Sequence, residues 1–227
     1  SFYRLYMGGS CLGSYYLLKY MPSGIDAFDP ENILVFAVSP TTGAPISGAS
    51  RFNVTAKSPL TGAIGDSQAG GFWGVELKRS GFDAIIITGR SPNPVYLWIH
   101  NEEFGLKDAL QIWGKPTGEA QEIIREELGD SNYRIAQIGP AGENLVRFAC
   151  ITNELKHYNG RTGMGAVMGS KNLRAIAVRG TNQPEFANKD KIISMARSGA
   201  KASRTHPVVC SLQKYGTAAI INANQAA

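Results

Sequence analysis

Apolar residues fall along this chain in short dense runs separated by stretches rich in glycine and proline, a pattern that predicts many short strands and few long helices. The uninterrupted apolar run over 33–38, closed by Ser39-Pro40, predicts a buried strand. Alternation over 52–56 predicts a second, followed by turn chemistry over 58–62. Further strands are expected over 84–88, 95–99, 135–138, 148–151 and 175–178. Helical spacing is rarer. Residues 15–21, after a glycine-rich lead over 8–13, have the length of a short helix stopped by Pro22. From Thr117, read as an N-cap, residues 118–128 place Ala120, Ile123, Ile124 and Leu128 on one face, with Gly129 where a C-terminal cap belongs. Beyond 180–184 the strand signal fades and 191–196 reads as helix, so a domain boundary is expected near Pro184, with 185–227 opening a helical second domain.

Within the first 184 residues the pattern repeats. Gly74, Asp83 and Gly89 return as Gly165, Arg174 and Gly180, a constant spacing of 91, and the intervening residues follow. Upstream the match loosens: residues 37–40 resemble 137–140, and Arg51-Phe52-Asn53-Val54 resembles Arg147-Phe148-Ala149-Cys150. The expected fold is therefore α+β, built from two similar strand-rich subdomains, roughly 33–89 and 135–180, related by a pseudo-twofold. Equivalent loops should then face one another across a shared cleft, suited to a ligand with two similar anionic arms.

Composition narrows the chemistry. With 43% hydrophobic and 18% charged residues the 227-residue chain is not a disordered one, and no stretch approaches the ~18 apolar residues of a membrane span. The net charge of +5 favours an anionic partner, yet no dense Lys/Arg run points to nucleic acid. Cys11, Cys150 and Cys210 are far apart, and His100, His157 and His206 belong to no metal signature. Glu76, Glu143 and Glu154 stand as single carboxylates with no visible partner, so no catalytic residue is assigned.

Glycine is the informative excess, 26 residues against about 7% in an average protein, and it is clustered. One loop is read over 65–74 and a second over 159–165, at matching places in the repeat. Glycines expose backbone N–H groups that can cradle a phosphate or a polar heterocycle, and Arg51 and Arg161 could add bidentate contacts to such a ligand. The spacing Gly163-x-Gly165-x-x-x-Gly169 misses the dinucleotide fingerprint, and the second loop is read as not directly following a strand. Gly169-Ser170-Lys171 inverts the order of a P-loop.

Several stretches together resemble a known family, the N-terminal domain of the tungsten-containing aldehyde ferredoxin oxidoreductases. They are Asp29-Pro30-Glu31-Asn32, residues 55–62, Ala69-Gly70-Gly71-Phe72, Glu76-Leu77-Lys78, and residues 94–99, 138–146 and 165–176, in order along the chain. The resemblance implies one subdomain for each pterin of a bis-molybdopterin tungsten cofactor, with Mg²⁺ between the pterin phosphates. By motif, Arg51 would contact the pterin system, and the backbone carbonyls of Gln68 and Thr162 would meet Mg²⁺. Ala69, Gly70 and Gly71 of the first loop, with Arg161 and Gly163 of the second, would line the cradle. Gln68 stands where the family usually has Asn, Thr162 where Gly is frequent, and Gly9-Ser10-Cys11-Leu12 lacks a basic residue common there. A [4Fe–4S] cluster, its cysteine ligands and the residues that act on substrate would lie outside these 227 residues, so the chain reads as a fragment or a separately encoded cofactor-binding piece. For the whole protein the resemblance implies oxidation of an aldehyde to a carboxylic acid, ferredoxin as electron acceptor, a cytoplasmic location, and room for a homodimer. The rival readings are a non-redox module for a phosphate or nucleotide ligand, and a structural subunit whose cradle has degenerated.

Overall fold

The computed structural model describes residues 2–221 and residue 225; Ser1 and the far end of the expected second domain, 222–224 and 226–227, lie outside the described residues. The chain divides into two units, one of residues 1–43 and 50–184 and the other of 44–49 and 185–227.

The first unit opens with α1 (Phe2–Tyr6) and α2 (Gly9–Tyr20). The glycine-rich 9–13, expected as a loop, is already helix, and Gly13 explains why: a Cβ there would sit 2.3 Å from Thr55 Oγ1. The helix uses glycine to lie close on the sheet beneath it. That sheet is β1 (Leu34–Val38), β2 (Phe52–Lys57), β3 (Ile64–Ala69) and, after α3 (Trp73–Arg79), β4 (Ala84–Ile87), in the order β3-β2-β1-β4 and antiparallel throughout. Five consecutive apolar residues suit β1 to one of the two inner positions, where it is buried along its whole length.

β3 lies inside the stretch read from sequence as a loop. Its inward positions are Gly65, Ser67 and Ala69, too small and polar to signal a strand, because neighbouring chain comes close: a Cβ on Gly65 would lie 2.7 Å from Met164 Cε.

The hairpin β5 (Val95–His100) and β6 (Glu103–Asp108), a 3-10 turn over 110–112 and α4 (Thr117–Leu128) then lead to the second half. Thr117 is the first helical residue rather than the N-cap, which falls on Pro116; Gly129 takes the expected left-handed C-cap, φ 69°. The second half comprises β7 (Arg134–Gln137), α5 (Pro140–Glu143), β8 (Ile151–Asn153), β9 (His157–Asn159), α6 (Met164–Ser170) and β10 (Leu173–Arg179).

The repeat is visible in the topology. The second sheet runs β6-β5-β10-β7-β8-β9, and its last four strands, read backwards, reproduce β3-β2-β1-β4 with every pairing again antiparallel. The extra hairpin joins through a parallel β5–β10 pair. In register, Ala37 faces Asn53 as Gln137 faces Thr152, so the expected match of 51–54 with 147–150 is three residues short. Residues 148–150 are not strand; Ala149 instead accepts from the Gly165 amide at 3.0 Å, at the start of α6.

Helices α3 and α6 both lie between the two sheets, and α3 reaches β1 of its own half as well as β7 and β10 of the other. The shared core joins Phe36, Phe52, Trp73 and Leu77 to Val167 and Ile176, and Trp73 Nε1 donates to Ile176 O at 2.9 Å. Neither half has a closed core alone. On the outer faces, α2 covers the first sheet through Leu12 and Leu17, and α4 covers the second through Ala120 and Ile124.

The second unit carries α7 (Lys189–Ser203), capped by the Asn188 side chain accepting from the Lys191 amide, and α8 (Pro207–Tyr215), with proline in its first turn. Neither helix buries a residue among those described.

Candidate functional site

Both glycine loops are strand-to-helix connections: 70–72 joins β3 to α3, and 160–163 joins β9 to α6. The reading that the second loop does not follow a strand is thereby corrected; β9 is only three residues long and reads His-Tyr-Asn, which carries no apolar signal.

The two loops meet along one seam, where residues 66–71 run beside 157–162 in opposite directions. Thr162 Oγ1 lies 3.5 Å from Asp66 O, Asn159 Nδ2 donates to Ser67 O at 2.8 Å, and the Arg161 amide donates to Ser67 Oγ at 3.1 Å. At the other end a Cβ on Gly71 would lie 2.3 Å from Asn153 Oδ1 and 2.8 Å from His157 Cδ2. Shifting by the repeat spacing turns Asp66 against Thr162 into His157 against Gly71. The contact is self-complementary, as across a twofold axis between identical subunits.

The backbone follows the same relation. Gly71 and its counterpart Thr162 both take positive φ, 91° and 60°, and Phe72 and Gly163 both hold the N-cap position of the following seven-residue helix. For a β-branched residue such as Thr162 the left-handed conformation is strained. Its hydroxyl donates to Arg161 O at 2.7 Å, and its carbonyl accepts from Ser58 Oγ at 2.8 Å, which leaves that carbonyl a second lone pair.

The residues singled out from sequence are distributed along this seam. Gln68 is exposed on β3 opposite Asn53, and Ala69 is buried opposite Phe52. Arg51 precedes Phe52 at the same end of the β2–β3 pair, beside the first loop: a Cβ on Gly70 would come 4.0 Å from Ser50 Oγ. Gly70 and Gly160 are uncrowded: a Cβ there would meet nothing nearer than 3.9 Å. Arg51 and Arg161 are exposed, and among the described residues neither forms an ion pair, whereas Arg79, Arg134, Arg174 and Arg179 all do. Two guanidinium groups without ion pairs and two uncrowded glycines are the residue chemistry that suits an anion.

The other glycines of the second loop serve packing. A Cβ on Gly163 would lie 1.9 Å from Arg147 O, on Gly165 2.4 Å from Cys150 O, and on Gly169 2.0 Å from Gly142 O. The near-miss to a dinucleotide fingerprint thus marks the close approach of α6 to residues 142–150.

The three carboxylates read as single all have partners. Glu76 pairs with Arg179 at 2.6 Å and accepts from the Gly180 amide; Glu154 accepts from the Phe72 amide at 2.9 Å; Glu143 pairs with Arg174 at 2.7 Å. Burial holds the Glu143 carboxyl above its ordinary pKa and the Arg174 guanidinium below its own. These pairs are structural. Sequence reasoning also missed Asn153, Glu154 and His157, which touch the first loop from the opposite half; no local signal marks them, because their role is set by how the halves meet.

Residues 1–180 match the family model described as aldehyde ferredoxin oxidoreductase, N-terminal domain. Among curated proteins, a tungsten-containing aldehyde ferredoxin oxidoreductase of Pyrococcus abyssi is 46% identical over 97% of the chain and 37% of its own length. The WOR-like subunit of an aliphatic sulfonate oxidoreductase of Pyrococcus furiosus is 35% identical over 86% of the chain and 33% of its own length. A solved structure titled as the active-site complex BamBC of benzoyl coenzyme A reductase, in complex with 1,5-dienoyl-CoA, superposes with a TM-score of 0.85 at 38% identity. It is matched over 89% of the chain and 31% of its own length. The chain thus spans about a third of the length of the relatives it matches.

Proposed function

The chain belongs to the aldehyde ferredoxin oxidoreductase family through its N-terminal domain, and from that premise we propose that it holds a tungsten bis-molybdopterin cofactor across the seam between its two halves, one pterin to each. The observation that carries this reading is the self-complementary pair of glycine loops with an unpaired arginine beside each. The donor set fits the group: a pterin phosphate needs cationic and amide donors, supplied by Arg51, Arg161 and the open backbone at Gly70 and Gly160. Two buried oxygens of the β8–β9 hairpin on the face toward β3, Asn153 Oδ1 and Asn159 Oδ1, have no hydrogen-bond partner among the described residues, leaving acceptors at the seam.

When bound, the cofactor supplies the two-electron redox chemistry. This chain's residues position it. Ala69 and Gly71 keep the first loop close to the opposite half, Gly163 starts α6, and Arg51 and Arg161 neutralise anionic groups. The Gln68 and Thr162 carbonyls are proposed as Mg²⁺ ligands; backbone ligation tolerates the side chains found there. No proton-transfer step is assigned to this chain's residues; the groups that act on substrate are proposed to lie in the part of the protein beyond this domain.

For the whole protein the proposed reaction is oxidation of an aldehyde with water to a carboxylic acid. Two electrons would pass through a [4Fe–4S] cluster, ligated outside this chain, to ferredoxin in the cytoplasm. Among the described residues no helix is long and apolar enough to cross a membrane. Residues 1–184 are proposed as the cofactor domain and 185–227 as the opening of a helical one.

The test is elemental and pterin analysis of the full-length protein purified anaerobically, with Arg161→Ala alongside. Tungsten with two pterins per chain, reduced in the variant, supports the reading. A metal-free and pterin-free protein that binds a nucleotide through Arg161 replaces it with the phosphate-ligand alternative.

A further inference from the structure

We infer that His157 is a cofactor contact of the first glycine loop, donating from its imidazole to an anionic group held there, and that the two sides of the cradle are therefore chemically unequal. The inference rests on the cofactor reading above and adds to it a residue that no sequence motif marks.

The position of His157 is set by strand pairing. It opens β9, opposite Asn153, and its side chain lies on the same face as Asn159, the face turned toward β3. The ring rests against the first loop: the place of a Cβ on Gly71 is 2.8 Å from His157 Cδ2 and 3.3 Å from Cγ, and that on Gly70 is 3.9 Å from Nδ1. Any side chain at 71 would displace the ring. Toward Gly70 the ring presents Nδ1, at ordinary contact distance and without crowding.

His157 is only partly buried, and among the described residues its ring nitrogens form no hydrogen bond or ion pair. Several neighbouring side chains have partners across the seam: Asn159 Nδ2 donates to Ser67 O, Ser67 Oγ accepts from the Arg161 amide, and Glu154 accepts from the Phe72 amide. An imidazole placed against a glycine loop, with neither nitrogen committed, is arranged to serve a ligand of that loop.

The repeat sharpens the point. The counterpart of His157 in the first half is Asp66, which meets Thr162 of the second loop through its backbone carbonyl, whereas His157 meets Gly71 of the first through its ring. The first loop therefore has an imidazole beside it, and the second has none at the equivalent place. Of two similar anionic arms, only the one at the first loop would meet that donor.

The experiment compares the full-length protein with His157→Phe and His157→Gln, all produced under tungsten-replete anaerobic conditions. Phenylalanine keeps the ring packing against Gly71 and removes the donor; glutamine keeps a donor. The readouts are tungsten and pterin retained per chain after gel filtration, together with the unfolding temperature. The expected result is about tenfold weaker cofactor retention in His157→Phe, the value of one charge-assisted hydrogen bond, with retention near wild type in His157→Gln and an unchanged unfolding temperature. Full retention in His157→Phe beside a loaded wild type overturns the inference and leaves the cofactor reading intact. Equal loss in both variants with a lowered unfolding temperature overturns it in favour of a packing role. A wild type without tungsten or pterin overturns the cofactor reading and this inference with it.

Discussion

Arg174 lies with its side chain wholly out of solvent, donating to three neutral acceptors, Ile112 O at 3.3 Å, Gln137 Oε1 at 3.1 Å and Lys115 O at 3.0 Å, and ion-paired with Glu143 Oε1 at 2.7 Å. The Glu143 side chain is 3% exposed, and its other oxygen accepts from the Gly114 amide at 2.8 Å. Arg174→Met fills much of the same volume but strands a carboxylate and three neutral acceptors inside the protein. Breaking a buried pair from one side costs about 3–5 kcal/mol, and that is the expected loss in urea unfolding. Glu143→Gln keeps the Gly114 contact and leaves Arg174 its three neutral acceptors, so its cost should be smaller, about 2 kcal/mol. The double variant should be no less stable than Arg174→Met alone, because the second change removes the charge that the first left stranded. The sign with pH is fixed by Glu143. Its folded pKa lies above the unfolded value, so the stability it contributes is fully present below the unfolded pKa and lost as pH rises through the folded one. The penalty of Arg174→Met should therefore shrink toward acid. Strictly additive single variants, or a cost below about 1 kcal/mol for Arg174→Met, would refute the reasoning.

Three further outcomes are expected. Gly169→Ala drives a methyl into Gly142 O, backbone against backbone at 2.0 Å, and should lower stability by about 3 kcal/mol or more, read as a fall in melting temperature; an unchanged melting temperature would mean that α5 and α6 can separate freely. Thr162→Gly relieves a left-handed threonine at φ 60° and should raise unfolding free energy by about 0.5–1 kcal/mol after loss of its hydroxyl contacts, unless that hydroxyl holds the loop. Burial lowers the Lys171 pKa to about 8, below its value of about 10.4 in an unfolded chain, so the cost of burying its charge is present below pH 8 and relieved between pH 8 and 10. Stability should climb across that interval, and Lys171→Met should flatten the climb.

Much of the fold is legible in the sequence where burial is apolar. β1, β2, β4, β5 and β10 coincide with hydrophobic runs, and α4 with its amphipathic face and terminal glycine. The misses share a cause. β3, β9 and the first turns of α2 pack through glycine, serine, asparagine and alanine against another backbone, where small size matters more than hydrophobicity, so periodicity is silent. The repeat spacing of 91 matched the two glycine loops to one another, because glycine is a conspicuous type; Arg51 and Arg161 are not matched by that spacing. What sequence could not show is the cross-half part of the site: Ser67 under Arg161, Glu154 under Phe72, His157 under Gly71. Those contacts join residues about ninety positions apart and exist only once the halves are docked.

The self-complementary seam has a consequence for how such a cradle can vary. In a dimer of two identical short chains, every substitution at the seam would appear twice, and both sides would change together. Joining the copies in one chain removes that constraint. Here Arg161 stands where the first loop has Gly70, Thr162 where it has Gly71, and a hairpin, β5–β6, is attached to one sheet only. A ligand whose two arms are the same molecule would become lopsided on binding, with one arm in a different electrostatic field from its twin. Tuning a symmetric ligand from one side is open to a tandem chain and closed to a dimer of halves.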